Sequence, residues 1–556
     1  MMHKKLTNFI LALVTFISST VAQNTVGMIL NDPESFSGYT LFSPLKSTST
    51  FLIDNNGLLV NQWISDYLPS MTVYLLEDGS LLRATAISSE SNLRAGGFQK
   101  FSWEGELIWE HYNGFQHHDV EPLPNGNVLM VVSDVRSADE ALVAGRNPQL
   151  LLDNTLTSTS ILEIQQTEFN SGDIVWEWNA WDHMIQDFNP SLANFGSVAD
   201  HPELMDINFM RSGVSDWLHT NSVAYNQILD QIVVSNRSTN ELWVIDHSTT
   251  MSEAVSHAGG NSGKGGDLLY RWGNPQSYGA GDASDQRLFG QHDAHWIQPG
   301  LPSAGNMLIF NNGLDRPDQN FASVDEIVTP IDSSGSYSLT PGSAYAPEQS
   351  YWTYFSAISA GESSQWIAPH YGSSQRMLNG NTLIASPEDG RLFEVTPTLE
   401  IVWNYINPVS VTGILSQGDD PVQNKVPRCT RYSQDYAGLI DKDLTPGHPI
   451  EIYATSVLNE KPPIDDYFLD INFPNPFNSS TTIRYSLPEE SSVKLYIYDL
   501  SGRQISILQN QKQAAGTHFV TWNGTNQLGR YMNSGLYFYT LEVGTFSQTK
   551  KMLLLK

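Results

Sequence analysis

Histidine recurs beside strand-like apolar runs at several distant points of the chain. The segments are "QHHDV", "LHTNS", "GQHDAHW" and "PHYGSSQR", and their histidines are His117, His118, His219, His292, His295 and His370. A neutral imidazole can act near pH 7 as a nucleophile, a general base or a metal ligand. We therefore expect these segments to build one pocket, with metal binding, covalent catalysis and simple packing all open as interpretations.

Two arginines accompany the histidines. Arg237 follows His219 by eighteen residues in "VVSNR", and Arg376 lies in "SSQRM". A guanidinium group there would supply the local positive charge that an acidic protein needs to hold an anion. Asp119 and Asp293 stand next to the histidines, where they either orient an imidazole or cap a turn.

Strand geometry limits which histidines act together. Adjacent residues of a strand point to opposite faces, so only one of His117 and His118 should face the pocket, and we prefer His118. His292 and His295 should also point apart, which makes them poor joint ligands for one metal. Six other histidines lack this register and are interpreted as surface or structural residues: His111, His183, His201, His247, His257 and His448.

Repeats along the chain indicate the elements that position these residues. A Gly turn, an apolar run and a Trp recur in "EGELIWEH", "SGDIVWEW" and "TLEIVWNY", and Asn-Gly or Asp-Gly turns separate further apolar runs. Such turns join antiparallel hairpins, and stacked four-stranded meanders form a β-propeller. Five repeats are clear, and residues 426–444 together with the N-terminal strands would complete a sixth. Trp109, Trp176 and Trp403 should pack within these repeats.

Composition agrees with an all-β protein and narrows the function. The 556 residues include 41 Gly and 28 Pro, and only 16% of them are charged. A formal net charge of −30 disfavours binding to nucleic acid or to anionic membranes. Cys429 is the single cysteine, which excludes an intrachain disulfide and a thiolate-bound metal cluster.

Both ends of the chain differ from the repeats. Residues 1–23 read as a secretory signal peptide, and we expect the propeller over 24–458, a linker over 459–467 and a small Ig-like β-sandwich over 468–556. We expect no transmembrane segment. The motifs "FPNPFN", "IYDLSGR" and "SGLYFYTL" resemble the C-terminal sorting domain of type IX secretion cargo. That resemblance implies contact with the type IX secretion machinery and a secreted or cell-surface location.

The central part of the chain resembles the bacterial, nucleotide-independent arylsulfotransferases, which are six-bladed propellers. The resemblance lies in "HHDVEPLPNGNVLM", "DWLHTNSVAYN", "GQHDAHW" and "SSQRMLNGNTLIASPEDGRLFEV". It implies ping-pong transfer of a sulfuryl group from a phenolic sulfate ester to a phenol through a sulfohistidine. By the family's motifs, His292 is the nucleophile, and the other catalytic residues are His219, Arg237 and His118.

Several alternatives stay open beside this interpretation. His295 rivals His292 as the nucleophile because both lie in one motif. Further candidate substrate-binding residues are His117, His295, His370, Arg376 and Asn221. The chemistry requires no metal and no organic cofactor. A metal-dependent propeller hydrolase or lactonase, and a non-catalytic surface-binding propeller, are the competing functions.

Overall fold

A computed structural model describes residues 24–555 except 87–95, 152, 210–214, 318, 356–365, 454–466, 471, 473–474, 476 and 478–479. The predicted signal peptide and nearly all of the predicted linker lie outside the described residues. Among the residues that are described, no helix has the length and apolar character needed to cross a membrane.

Six antiparallel sheets make up most of the chain, and we number them in the order in which they contact one another. Sheet 1 contains Cys429–Ser433, Gly38–Phe42, Ser49–Ile53 and Leu59–Ile64; sheet 2 contains Leu68–Leu75, Leu81–Ala86, Gly97–Phe101 and Leu107–Tyr112; sheet 3 contains Gln116–Pro122, Val128–Ser137, Thr155–Glu168 and Ser171–Asn179. Sheet 4 contains Thr220–Asn226, Gln231–Asn236, Glu241–Asp246 and Tyr270–Trp272; sheet 5 contains His292–Trp296, Met307–Asn311, Ser323–Ile327 and Trp352–Tyr354; sheet 6 contains Ser373–Arg376, Thr382–Ser386, Arg391–Val395, Ile401–Ile406 and Gly27–Asn31.

A second unit of two sheets follows near the C-terminus. One sheet contains Phe468–Leu469, Thr481–Leu487 and Gly516–Trp522, and the other contains Gln504–Gln513, Ser491–Asp499, Gly535–Val543 and Phe546–Leu554. Both sheets contribute side chains to one shared apolar core, as expected for a sandwich. Short pairs join Met184–Ile185 to Met205–Asp206 and Val409–Ser410 to Gly413–Ile414. The α-helices are Ala138–Val143 and Met251–Ala254, and the 3₁₀ turns are Pro148–Leu150, Ala180–His183, Val198–Asp200, Pro275–Tyr278, Ala283–Asp285 and Ala437–Leu439.

The predicted turns connect neighbouring strands, and the predicted packing residues are buried. Gly126 and Gly380, in the Asn-Gly turns, have φ of 88° and 90°, a conformation that glycine adopts without steric cost. Trp109, Trp176 and Trp403 are buried. Apolar side chains of neighbouring sheets form a core between sheets 1 and 2, 2 and 3, 3 and 4, 4 and 5, 5 and 6, and 6 and 1.

One edge strand of every sheet contacts the corresponding strand of the next sheet, and we call these the central strands. In each contact a backbone N–H donates to a side-chain oxygen across the gap. The pairs are Val120 to Thr72 at 3.4 Å, Val223 to Asp119 at 3.0 Å, Ala294 to Ser222 at 3.2 Å, Ser374 to Asp293 at 2.8 Å, Cys429 to Ser373 at 3.2 Å, and Leu75 to Tyr432 at 2.8 Å. The beginnings of the histidine-bearing strands are therefore held side by side.

The all-β prediction is confirmed, and the arrangement of the sheets is propeller-like. Cys429–Ser433, from the segment predicted to complete a sixth repeat, pairs with Gly38–Phe42 near the N-terminus.

Candidate active site

Left-handed backbone marks the start of four central strands. His118, His219, Asp293 and Tyr371 have φ of 56°, 49°, 52° and 59°. Three of these strands also shift register with their neighbour at this point. Such conformations cost energy in residues other than glycine and often occur at functional sites.

The kinks bring four histidines together in a cluster that we call the mouth: His117, His118, His219 and His292. His117 Nδ1 lies 2.8 Å from His118 Nδ1, so one ring donates to the other. The ring of His118 lies 4.9 Å from that of His219 and 6.5 Å from that of His292. The two consecutive rings lie in contact because the left-handed residue interrupts the strict alternation of an extended strand, and the preference for His118 over His117 stays a prediction.

A buried amide holds the His292 ring in one orientation. Its Nδ1 lies 2.7 Å from Asn312 Oδ1. The Asn312 amide nitrogen donates to the carbonyl oxygens of Ala368 at 2.6 Å and Tyr371 at 2.8 Å. Because the amide nitrogen is committed to two acceptors, Oδ1 must face the ring and accept the proton of Nδ1. The neutral His292 ring therefore presents the lone pair of Nε2.

A carboxylate orients His219 in the same way. Asp216 Oδ2 lies 2.5 Å from His219 Nδ1, and Asp216 Oδ1 accepts from the His219 backbone N–H at 3.2 Å. Burial alone would raise the pKa of Asp216, but the hydrogen bonds and positive charge of His219 lower it overall. Asp216 therefore stays ionised and accepts hydrogen bonds from the ring and the backbone N–H of His219. Sequence reasoning missed both residues: Asp216 begins the motif "DWLHTNSVAYN" but was given no role there, and Asn312 lies twenty residues after His292, outside the quoted motifs.

Burial keeps most mouth histidines neutral. It lowers the pKa of His117 to about 4. Burial also lowers the pKa of His118 and His292 well below the ordinary value, and the charges of His219 and Arg428 add to the effect on both rings. Arg237 contributes further to the shift of His292, while the Asn312 hydrogen bond opposes it. An unprotonated ring nitrogen is consequently available at neutral pH.

Arg428 connects two central strands beside the mouth. Its guanidinium donates to Asp119 Oδ2 at 2.8 Å and lies 3.3 Å from Asp293 Oδ1. Burial lowers the pKa of this group, but the two carboxylates outweigh burial and raise it. Asp119 and Asp293 therefore bind Arg428 and the backbone of the next strand, and Asp293 Oδ2 also lies 3.7 Å from His295 Nδ1. Sequence reasoning also missed Arg428, which lies outside the histidine motifs.

His295 lines a different cavity, of about 180 Å³, together with Tyr74, Glu121 and Arg428. Its Nδ1 lies 3.3 Å from the backbone oxygen of Asp293. Burial and the nearby Asp119 charge raise the pKa of Glu121 to about 8. His292 and His295 thus lie in separate surroundings.

The remaining predicted residues have different positions. Arg237 donates its backbone N–H to the carbonyl oxygen of His219 at 3.2 Å, so it lies beside the mouth. Asn221 is buried, and its amide nitrogen donates to the carbonyl oxygen of Gln291 at 2.7 Å, which positions the residue before His292. His370 is exposed, with Nδ1 3.3 Å from Glu388 Oε1.

Arg376, which we predicted to bind substrate, lies away from the mouth. It is buried and donates to Glu326 Oε2 at 2.6 Å, with its guanidinium 5.0 Å from the ring centre of Trp352. Glu326 belongs to the third strand of sheet 5, so the pair joins sheets 5 and 6. The prediction that Arg376 binds substrate was wrong because its guanidinium pairs with Glu326 within this interface.

Comparison with known proteins agrees with these observations. The family described as Arylsulfotransferase (ASST) matches residues 36–386, and the FlgD Ig-like domain matches residues 477–546. None of the curated proteins matches the chain.

Three solved structures illustrate the structural likeness. A protein of unknown function from Bacteroides caccae is 9% identical, covers 71% of this chain and 98% of its own, and has a TM-score of 0.37. A streptogramin B lyase is 12% identical, with 74% and 95% covered and a TM-score of 0.32. FlgD from P. aeruginosa is 25% identical, with 13% and 58% covered and a TM-score of 0.12. The family match spans well over half of the chain and contains all four mouth histidines, so this protein belongs to the arylsulfotransferase (ASST) family.

Proposed function

We propose that this protein transfers a sulfuryl group from an aryl sulfate to a phenol by a ping-pong mechanism, with His292 as the nucleophile. The observation that carries the proposal is the hydrogen bond between His292 Nδ1 and Asn312 Oδ1, which leaves Nε2 with its lone pair. The lowered pKa of His292 keeps this nitrogen unprotonated at neutral pH. A buried, oriented and neutral imidazole has the properties of a covalent catalyst.

In the first half-reaction, Nε2 of His292 attacks the sulfur of the donor. An N–S bond forms, the S–O bond to the aryl group breaks, and the phenolate leaves with the bonding electrons. His219, which Asp216 holds through its Nδ1, gives the phenolate a proton. Arg237 binds the sulfuryl oxygens, whose charge must be balanced in the loose transition state expected by analogy with phosphoryl transfer.

In the second half-reaction, the acceptor phenol attacks the sulfur of the sulfohistidine. His219, now neutral, takes the phenol proton as the O–S bond forms, and the N–S bond breaks to return neutral His292. A phenolate leaves much more easily than an alkoxide because the pKa of a phenol is about 10. Phenolic donors and acceptors fit this chemistry, and no cofactor takes part in it.

Mass spectrometry after brief exposure to 4-nitrophenyl sulfate tests the proposal. We expect one sulfuryl adduct on the peptide containing His292, and 4-nitrophenol release that depends strongly on an added phenol. His292→Asn should abolish the adduct, whereas the matched variant His295→Asn should retain it. An adduct on His295 would refute the choice of nucleophile.

The same experiment separates the competing functions. Equal 4-nitrophenol release without an acceptor would indicate a sulfatase. Turnover that a chelator abolishes would favour a metal-dependent hydrolase or lactonase. Absence of turnover and of any adduct would favour a non-catalytic binding propeller.

We further propose that the six sheets close into a six-bladed propeller around the mouth. Support comes from the six hydrogen bonds between successive central strands and from the apolar core shared by sheets 6 and 1. A variant lacking residues 429–556 loses Cys429–Ser433, the central strand of sheet 1. We expect it to unfold at lower urea concentration than a variant lacking only 468–556, and equal stability would contradict closure.

The C-terminal sandwich is proposed to be a type IX sorting domain that directs the protein to the cell surface or medium. The three motifs named above and the match to an Ig-like domain support this assignment. Deleting residues 468–556 in a host with this machinery should retain the protein in the periplasm. Unchanged export of the deletion variant would rule the assignment out.

A further inference from the structure

A second group of histidines lies outside the mouth, between sheets 3 and 4. His183 ends the 3₁₀ turn that follows sheet 3, and His257 and Asp267 lie in the connection between the last two strands of sheet 4. His183 Nδ1 and His257 Nδ1 approach the same oxygen, Asp267 Oδ1, at 2.8 and 2.7 Å. The three potential ligand atoms lie within 4.8 Å of one another.

Each ring nitrogen of His183 has a defined partner in this cluster. Its Nε2 lies 2.8 Å from the carbonyl oxygen of Ala254, which can only accept, so Nε2 carries a proton. Nδ1 is then the ring nitrogen that faces the Asp267 carboxylate. Metal-binding histidines commonly donate their second N–H to a backbone carbonyl, as His183 does.

The surroundings fix His183 firmly. Its ring is fully buried and lies parallel to the Trp178 ring, with centres 5.9 Å apart and planes inclined by 3°. Trp178 Nε1 donates to the carbonyl oxygen of Gly266 at 2.7 Å. A Cβ atom at Gly266 would lie 2.1 Å from the oxygen of Ala254 and 2.5 Å from His183 Nε2. The site therefore requires glycine at 266 and is rigid on its buried side.

We propose that His183, His257 and Asp267 bind a divalent transition-metal ion of the zinc class, with water as the fourth ligand. Two imidazole nitrogens and one carboxylate oxygen are a ligand set that zinc accepts in tetrahedral geometry. Bond lengths of about 2.0–2.1 Å require the ligand atoms to separate to about 3.3 Å. The side chain of His257 is 63% exposed and can make this small movement.

The open side of the cluster has room for water. His257 lines a cavity of about 470 Å³ together with Trp181, Asp182 and His201. The ion would connect the end of sheet 3 to the glycine-rich connection of sheet 4, so its main effect is to stabilise the contact between these sheets. The mouth and its chemistry do not depend on this ion.

Isothermal titration with zinc chloride tests the proposal on the untagged full chain after removal of metals with a chelator. We expect one zinc ion per chain, and a higher Tm when zinc is present. His257→Ala and Asp267→Asn should each weaken zinc binding at least about tenfold, the effect typical of disturbing a metal site. Cobalt should give the visible absorption of a tetrahedral site, and His257→Ala should remove it.

His201→Ala is the matched control. His201 lines the same cavity but bonds to Glu203, so its loss should leave zinc binding unchanged. Zinc binding retained in both His257→Ala and Asp267→Asn would overturn the proposal. Loss of binding in His292→Ala instead would assign the ion to the mouth. If the stripped protein binds no zinc or cobalt, the proposal fails.

Discussion

Replacing Asn312 by alanine tests the tautomer on which the proposed nucleophile depends. The substitution removes the acceptor 2.7 Å from His292 Nδ1 and leaves the ring without a fixed orientation. Attack on sulfur makes the ring positively charged, so the Nδ1–H donates more strongly in the transition state than in the free enzyme. Only interactions that strengthen in this way affect the rate of the chemical step.

The size of the effect follows from the hydrogen bond that is lost. Leaving a buried donor unsatisfied costs about 1–3 kcal/mol, and each 1.4 kcal/mol corresponds to a tenfold change, so sulfurylation should slow about 5- to 150-fold. The assay is the burst of 4-nitrophenol from 4-nitrophenyl sulfate in a single turnover. We expect a lower burst rate with a nearly unchanged KM for the donor, because Asn312 contacts His292 rather than the substrate.

A second buried asparagine separates catalysis from stability. Asn407 is fully buried and bonds to backbone atoms of Val409 and Asn424, away from the mouth. Asn407→Ala should lower Tm much as Asn312→Ala does but leave the burst rate unchanged. If Asn312→Ala slows the burst less than about twofold, or if both variants slow it equally, the tautomer argument is refuted.

Three further predictions follow from the charges of the molecule. Because the pKa of His292 is lowered, protonation removes the nucleophile only at acidic pH. The burst rate should therefore be constant from about pH 7 to well below the ordinary histidine pKa of about 6.5. A loss of burst rate with a midpoint near about pH 6.5 would contradict this. Arg428→Met leaves two buried carboxylates without their partner and should lower the free energy of unfolding in urea by about 3–5 kcal/mol. Adding Asp119→Asn to this variant should restore part of that stability. A loss below about 1 kcal/mol would count against the proposed role of the Arg428 ion pairs. Burial opposes protonation of His247, but the two carboxylates bonded to it raise its pKa to about 9, above the unfolded value of about 6.5. The contribution of His247 to folding stability is therefore complete below about pH 6.5 and is lost as the pH rises through about 9. Over that interval the wild type should lose about 3 kcal/mol more stability than His247→Gln, whereas parallel curves would exclude the effect.

The sheets could be predicted from the sequence because their signals are local. Each Asn-Gly turn needs positive φ at its own glycine, and each Gly–apolar–Trp pattern lies within a few residues of the chain, so both signals can be recognised in short segments. The pairing of Cys429–Ser433 with Gly38–Phe42 joins opposite ends of the repeats, yet it was predictable because each end alone lacks a complete meander. Arg376 was misplaced because a strand position does not say whether a charge faces a pocket or a carboxylate of the next sheet.

The detailed site was less predictable because it depends on contacts between distant segments. Asn312 lies twenty residues after His292, and its amide is oriented by carbonyl groups from a third segment. Arg428 meets Asp119 across 309 positions of the chain. Such partners leave no local spacing pattern, whereas the histidines were visible because they recur at matching places in successive repeats.

The left-handed residues explain why the alternation rule failed where the chemistry is proposed. An extended strand would point His117 and His118 to opposite faces, and the rule holds where every residue is extended. At His118 and His219 the backbone instead has positive φ, a cost that non-glycine residues bear only when surrounding contacts compensate for it. At His118 the compensation comes from the contacts of its ring with the other mouth histidines, and at His219 from the hydrogen bonds of its ring and backbone to Asp216. A regular strand could not bring two consecutive imidazoles into one cluster, so the strain and the proposed catalytic geometry have the same structural cause.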